Sequence, residues 1–210
     1  MNRFNRAVWG RSFAAWTLAS SGLLAMQGEA MAATIDGPVS DVTVSGTSVT
    51  NVVDGAVIGS LHALQSAQVN VSGGHTSWLW LHGQSSAAIS GGDISWVQAY
   101  DQSNVTITGA QDVSWLLLYG PDARAEIVGE GLQYSGGHVT GKWDDGSAFS
   151  FWALDGDHMS GGISDLSAVL TPTGMTLSVA SVPEPATWVL MGLGLLAVGA
   201  GARASRARRS

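Results

Sequence analysis

Trp78, Trp96 and Trp115 recur at intervals of 18 and 19 residues, and each opens an alternating run: Trp78-x-Trp80-x-His82, Trp96-x-Gln98-x-Tyr100 and Trp115-x-Leu117-x-Tyr119. Alternation puts the members of each run on one side of a strand. Aromatic rings with a polar tip offer apolar area and a hydrogen-bonding edge together. That combination suits the C–H faces and hydroxyls of a sugar chain. Trp78, Trp80, Trp96, Tyr100, Trp115 and Tyr119 are therefore the candidate glycan-binding residues. The same rings could instead pack under a cap or a second copy, or stabilise a sheet by stacking across strands.

Acid–base chemistry has less to work with. A glycosidase needs two carboxylates facing one groove, but Asp93, Asp101 and Asp112 fall at expected corners with no common register. Arg124 and Lys142 are the only candidate bases for an elimination. No nucleophile elbow is present. A polysaccharide-degrading β-helix enzyme is the weakest reading, no catalytic residue is assigned, and the chain is expected not to be an enzyme. His62, His75, His82, His138 and His158 are scattered, so a zinc site is not expected. Asp144-Asp145-Gly146 and Asp155-Gly156-Asp157 could offer carboxylates to calcium, but Asp-Gly is also ordinary turn chemistry and the calcium-binding nonapeptide is missing. No cofactor or resident metal is expected.

The elements that must position these residues are repeats. Val53, Val71, Ile89, Ile107 and Ile127 lie 18 to 20 residues apart, and each precedes a glycine by two positions. Such a period marks a solenoid. A run such as Val105-Thr106-Ile107-Thr108 ends at a glycine corner, and a second alternating run follows, as in Ser114-Trp115-Leu116-Leu117-Leu118-Tyr119. Each coil thus holds two short strands, and buries its apolar side only by stacking on its neighbours. Leu61 and Ala63, Leu79 and Leu81, Val97 and Ala99, and Leu116 and Leu118 form the expected inner face. The fold class is all-β, a parallel β-solenoid of about four to six coils over residues 33–130. A left-handed hexapeptide helix needs an aliphatic residue every sixth position, whereas Ser95 and Asp101 follow Ile89 at six and twelve, so the right-handed form is favoured.

Residues 131–181 break the period. Asp145-Gly146 between two apolar runs reads as a hairpin, placing a C-terminal cap on the open solenoid end. Residues 42–49 are expected to begin the sheet, and residues 171–181 to form a last strand and a spacer to the membrane.

Both ends carry different chemistry. Arg3, Arg6 and Arg11 precede an apolar stretch over residues 13–26, and Ala30 and Ala32 supply the small residues of a signal-peptidase site, so residues 1–32 are expected to be a signal peptide. Residues 182–210 combine Val182-Pro183-Glu184-Pro185, an apolar run over 186–202 long enough to enter a bilayer as a transmembrane helix, and a tail with Arg203, Arg206, Arg208 and Arg209. The remaining cations are Arg124 and Lys142, against fifteen carboxylates in 33–185, which excludes nucleic acid as a partner. The chain has no cysteine, so packing rather than disulfides must hold it together.

The tail resembles the PEP-CTERM sorting signal of Gram-negative bacteria that make exopolysaccharide. The coils, with Gly73-Gly74 and Gly91-Gly92, are similar to the short Gly-rich repeat arrays of such surface proteins. The resemblance implies that an exosortase recognises the Pro183-Glu184-Pro185 region and releases or transfers the upstream domain. It implies an inner-membrane-anchored precursor, a mature form at the cell surface or outside the cell, and a structural or adhesive role in an exopolysaccharide or biofilm matrix. The expected partners are signal peptidase, exosortase, the inner membrane before processing, and either exopolysaccharide or further copies of the chain.

Overall fold

The computed structural model describes residues 15–18, 23–26, 32–158 and 166–179. All of them belong to the first of two units, Met1–Val179; the second is Ala180–Ser210. In chain order the strands are β1 (Ala15–Leu18), β2 (Leu23–Met26), β3 (Ala32–Ile35), β4 (Pro38–Val44), β5 (Val49–Val52), β6 (Val57–Ala63), β7 (Gln68–Leu81) and β8 (Ser86–Tyr100). They continue as β9 (Asn104–Ile107), β10 (Asp112–Tyr119), β11 (Arg124–Val128), β12 (Glu130–Ser135), β13 (His138–Lys142), β14 (Ala148–Asp155), β15 (Ser167–Thr171) and β16 (Gly174–Ser178). A single 3₁₀ turn among the described residues covers Gly156–His158. Among the described residues no helix is long and apolar enough to cross a membrane, and the span expected over 186–202 lies outside them.

The fold is a β-solenoid. Successive coils alternate between two faces, and β7 and β8 run through the corner into both. The first face is ordered β1-β3-β5-β7-β8-β9-β11-β16-β15 and the second β2-β4-β6-β7-β8-β10-β14-β13-β12. Pairing is parallel as far as β11 and β14, then antiparallel through β16 and β15 on one face and β13 and β12 on the other. Parallel pairing repeats each residue's environment in every coil, and apolar residues accumulate in columns. One inward column runs Ile35, Val52, Val71, Ile89, Ile107, Ile127, Met175, and none of these is more than 1% exposed. Each such side chain contributes about 1.5–3 kcal/mol by leaving water.

Sequence and structure differ in several particulars. Val52, not Val53, sits in the column beside Val71, because the corner after β5 is one residue longer than the 18-residue period allows. The described sheet begins before residue 42: β3 and β4 precede it, and β1 and β2 add a rung within the segment expected to be a signal peptide. The last strand expected within residues 171–181 is present as β16, and it is built into the sheet, pairing with β11 and burying Met175 and Leu177. Asp112 does share a register with Asp93, on the outward side of β10 and β8.

The hairpin expected at Asp145-Gly146 joins β13 to β14, with Gly146 at φ 85°. Corner glycines are required where the backbone turns left-handed against the coil below. Gly92 has φ 81°, and a Cβ there would lie 2.8 Å from the Gly73 carbonyl oxygen.

Candidate functional site

The second face brings the predicted aromatic residues together in three outward rows. Trp78, Trp96 and Trp115 occupy one column, and Trp152 of β14 extends it. The middle row reads His62, Trp80, Gln98, Leu117, Leu154. The third holds His82, Tyr100 and Tyr119. Trp152 was invisible to the repeat because the chain spends β11, β12 and β13 before returning to this face.

The ring geometry decides what the rows can do. Centroids along the tryptophan row are 5.1, 5.0 and 5.6 Å apart, with planes within 15° of parallel. If the rings touch at about 3.5 Å, a 5.0 Å centroid distance corresponds to a slip of about 3.6 Å, so the indoles overlap like tiles. Their faces are spent largely on each other. The third row is tighter, with His82–Tyr100 at 4.5 Å and Tyr100–Tyr119 at 4.2 Å. His138 meets the outer ring edge-on, 4.1 Å from Trp152, and His62 lies against Trp80 at the same distance with the planes tilted by 43°.

Between the rows the surface is closed. Leu117 and Gln98, read from sequence as outward, are 2% and 8% exposed beneath the flanking rings. Tyr100 donates a 2.7 Å hydrogen bond from its hydroxyl to Gln98 Oε1. Burial, then the neighbouring Tyr119 hydroxyl and the Asp157 charge, push the Tyr100 phenol up to about 12. Burial and then nearby His82 hold His62 below its ordinary value, against a smaller opposing pull from Asp41. The indole N–H groups of Trp78, Trp80, Trp96, Trp115 and Trp152 have no hydrogen-bond partner among the described residues, so this face presents donors outward.

The carboxylates serve the corners. Asp101 Oδ2 accepts a 2.8 Å bond from the Gly83 amide, Asp157 Oδ2 one from Gly120, and Gln65 Oε1 does the same for Gly46. Each side chain reaches back one rung to a left-handed corner residue. The cleft of about 480 Å³ between Tyr100, Asp101, Tyr119, Asp122 and Asp157 includes two of these engaged carboxylates, Asp101 and Asp157. Asp145 Oδ1 accepts from the Ser147 amide and hydroxyl, and Asp155 Oδ1 from the Asp157 amide, both turn bonds. Asp93 faces His75 at 3.3 Å, and the Ser114 hydroxyl donates to Asp112. Among the described residues no three His, Asp or Glu side chains are placed to hold a metal ion.

A second cleft, about 440 Å³, follows the glycine corners between Ser72, Ser90, Thr108, Trp143, Asp144 and Asp145, and sequence reasoning missed it. Its hydroxyls already donate to the carbonyls of Val52, Val71 and Ile89.

The described residues form a β-solenoid with an aromatic outer face, and the sorting motif lies outside them. The family model for the PEP-CTERM protein-sorting motif matches residues 181–209. The chain therefore carries the tail by which an exosortase sorts exported proteins, and it includes Val182, Pro183, Glu184, Pro185 and the four tail arginines. Those residues, and Ala30 of the expected signal-peptidase site, lie outside the described residues, while Ala32 opens β3. No curated protein and no solved structure matches the chain.

Proposed function

We propose that this protein is exported, processed by exosortase at the Pro183-Glu184-Pro185 region, and acts as a structural component of the extracellular polysaccharide matrix. The observation that carries the structural role is the tile-like overlap of the tryptophan row, which directs aromatic area into holding coils in register rather than leaving faces free. The strongly acidic body keeps the domain off anionic surfaces. No group in this reading performs a reaction. The test is deletion of the gene and complementation with wild-type or corner-glycine variants, with matrix cohesion measured. Restoration by wild type alone supports a structural role; unchanged cohesion on deletion contradicts it.

A second reading, a glycan-binding module, is favoured by the unpartnered indole N–H groups along the same face. Their donors would meet hydroxyls of a neutral chain at every rung. Tryptophan-fluorescence titration with the host's exopolysaccharide separates the two. Saturable binding that disappears in a folded Trp78→Ala, Trp96→Ala, Trp115→Ala variant establishes the module. No binding by wild type leaves the structural role.

A further inference from the structure

Two of the three large apolar side chains exposed on the described surface lie side by side on β15: Val169 is 59% and Leu170 63% exposed. All five residues of β15, Ser-Ala-Val-Leu-Thr, are exposed, and none is charged. One edge of β15 pairs with β16, and among the described residues the other pairs with nothing. An uncharged, proline-free open edge is a template for another strand.

The register shows which strand fits. Leu170 pairs with Met175 and so tops the inward column that begins at Ile35. Every earlier member is buried by a rung on each side, and Leu170 lacks one. Ala168 likewise tops the column that begins at Ala33, and Val169 tops the outward column that begins at Thr34. Strand polarity agrees as well. Two successive antiparallel pairings turn β15 back to the direction of β11, and β12 back to that of β10. Counting from β3 and β4, each face has eight strands, so the two end flush.

The opposite end carries the complement. β1 and β2 cover β3 and β4, and both lie within residues 1–32. Their removal bares a bottom rung whose inward side chains are Ala33, Ile35, Val42 and Val44.

We infer that processed copies stack head to tail, with β15 of one chain pairing in parallel with β3 of the next and Leu170 seated on the next chain's Ile35. The contact joins unlike ends and adds each copy as further rungs of the same columns, so the stack extends rather than turning back into a ring, and the product is a filament whose core runs across chain boundaries. The glutamate and bulge on β12 weaken pairing on the second face, so β15 leads the contact. This inference rests on the export reading, which supplies the removal of residues 1–32.

The cysteine-free sequence permits a direct test. Thr34 and Val169 stand seven rungs apart in one chain, about 34 Å, so a disulfide between them is intermolecular. In the stack they are neighbours at about 4.8 Å, within disulfide reach. The full chain carrying Thr34→Cys and Val169→Cys is expressed in its exosortase-bearing host, purified, oxidised and resolved without reductant, with the N-terminus read by mass spectrometry. The expected result is a ladder of dimers, trimers and longer species from chains starting at Ala33, absent from each single variant. Adding Leu170→Lys abolishes the ladder while circular dichroism shows the domain still folded, since the side chain is 63% exposed and a lysine there can reach solvent past Met175. Dimers from Val169→Cys alone indicate antiparallel β15–β15 pairing and overturn the stacking. Monomers from correctly started double-variant chains also overturn it and leave the export reading intact. Chains still starting at Met1 overturn the export reading and the opened end together.

Discussion

Trp115 and Trp152 are 37 residues apart in the sequence and stack in register at 5.6 Å with planes 15° apart. The chain leaves the second face after β10, completes β11 and the β12–β13 hairpin, and returns β14 to the position a sixth coil would occupy. The indole row therefore ties the non-repeating cap to the repeats.

Replacing Trp152 with alanine is expected to cost about 2 kcal/mol, less than a fully buried tryptophan because the ring is half-buried. Denaturant unfolding followed by circular dichroism measures it. A loss under about 0.5 kcal/mol, the range of ordinary surface substitutions, would show that the row does not bind cap to coils.

Thr76 occupies the inward column between Ile58 and Ile94, and its buried hydroxyl has no partner. Thr76→Val removes an unsatisfied polar group at nearly constant shape and is expected to stabilise the domain by about 1 kcal/mol. Ser85 and Ser103 at the corner have the same defect, and alanine is expected to be neutral or stabilising at both. A lower denaturation midpoint for Thr76→Val would mean that its hydroxyl is satisfied in solution.

Gly92→Ala combines a left-handed φ with a clash against the Gly73 backbone, and is expected to destabilise by about 2 kcal/mol or more. Gly146 has a similar φ but open space around it, so Gly146→Ala is expected to cost less. Thermal or denaturant unfolding of the two variants side by side checks the order.

His62 and Tyr100 give opposite pH limbs. The His62 value is depressed by burial and His82, so the folded state resists its protonation. That residue's contribution is fully present above the unfolded value of about 6.5 and is lost as pH falls below it. The Tyr100 phenol is raised to about 12, so its contribution holds below the unfolded value near 10 and is lost between there and 12. Unfolding at stepped pH, with His62→Gln flattening the acid limb and Tyr100→Phe the alkaline one, checks both signs.

The inner columns were legible because every second residue in each repeat is apolar, and parallel pairing copies that pattern from coil to coil. The alignment of Trp78, Trp96 and Trp115 followed from the same regularity. Val53 was misplaced because a corner can absorb one residue without disturbing the columns on either side. Asp93 and Asp112 each lie three residues before a row tryptophan, so the alignment that sets Trp96 beside Trp115 also contains their shared register. Trp152, β15 and β16 depend on pairings across long sequence separations, which periodicity does not encode. The burial of Gln98 and Leu117 is a matter of ring size in the flanking rows. Alternation alone marks them as outward.

The most direct test of the account is the intact mass and location of the chain in cells with and without their exosortase. Wild-type cells should yield, outside the inner membrane, a chain starting near Ala33 and ending near Pro185, and exosortase-deleted cells a membrane-bound form that keeps residues 186–210. A full-length chain in both strains, or identical processing in both, would contradict it.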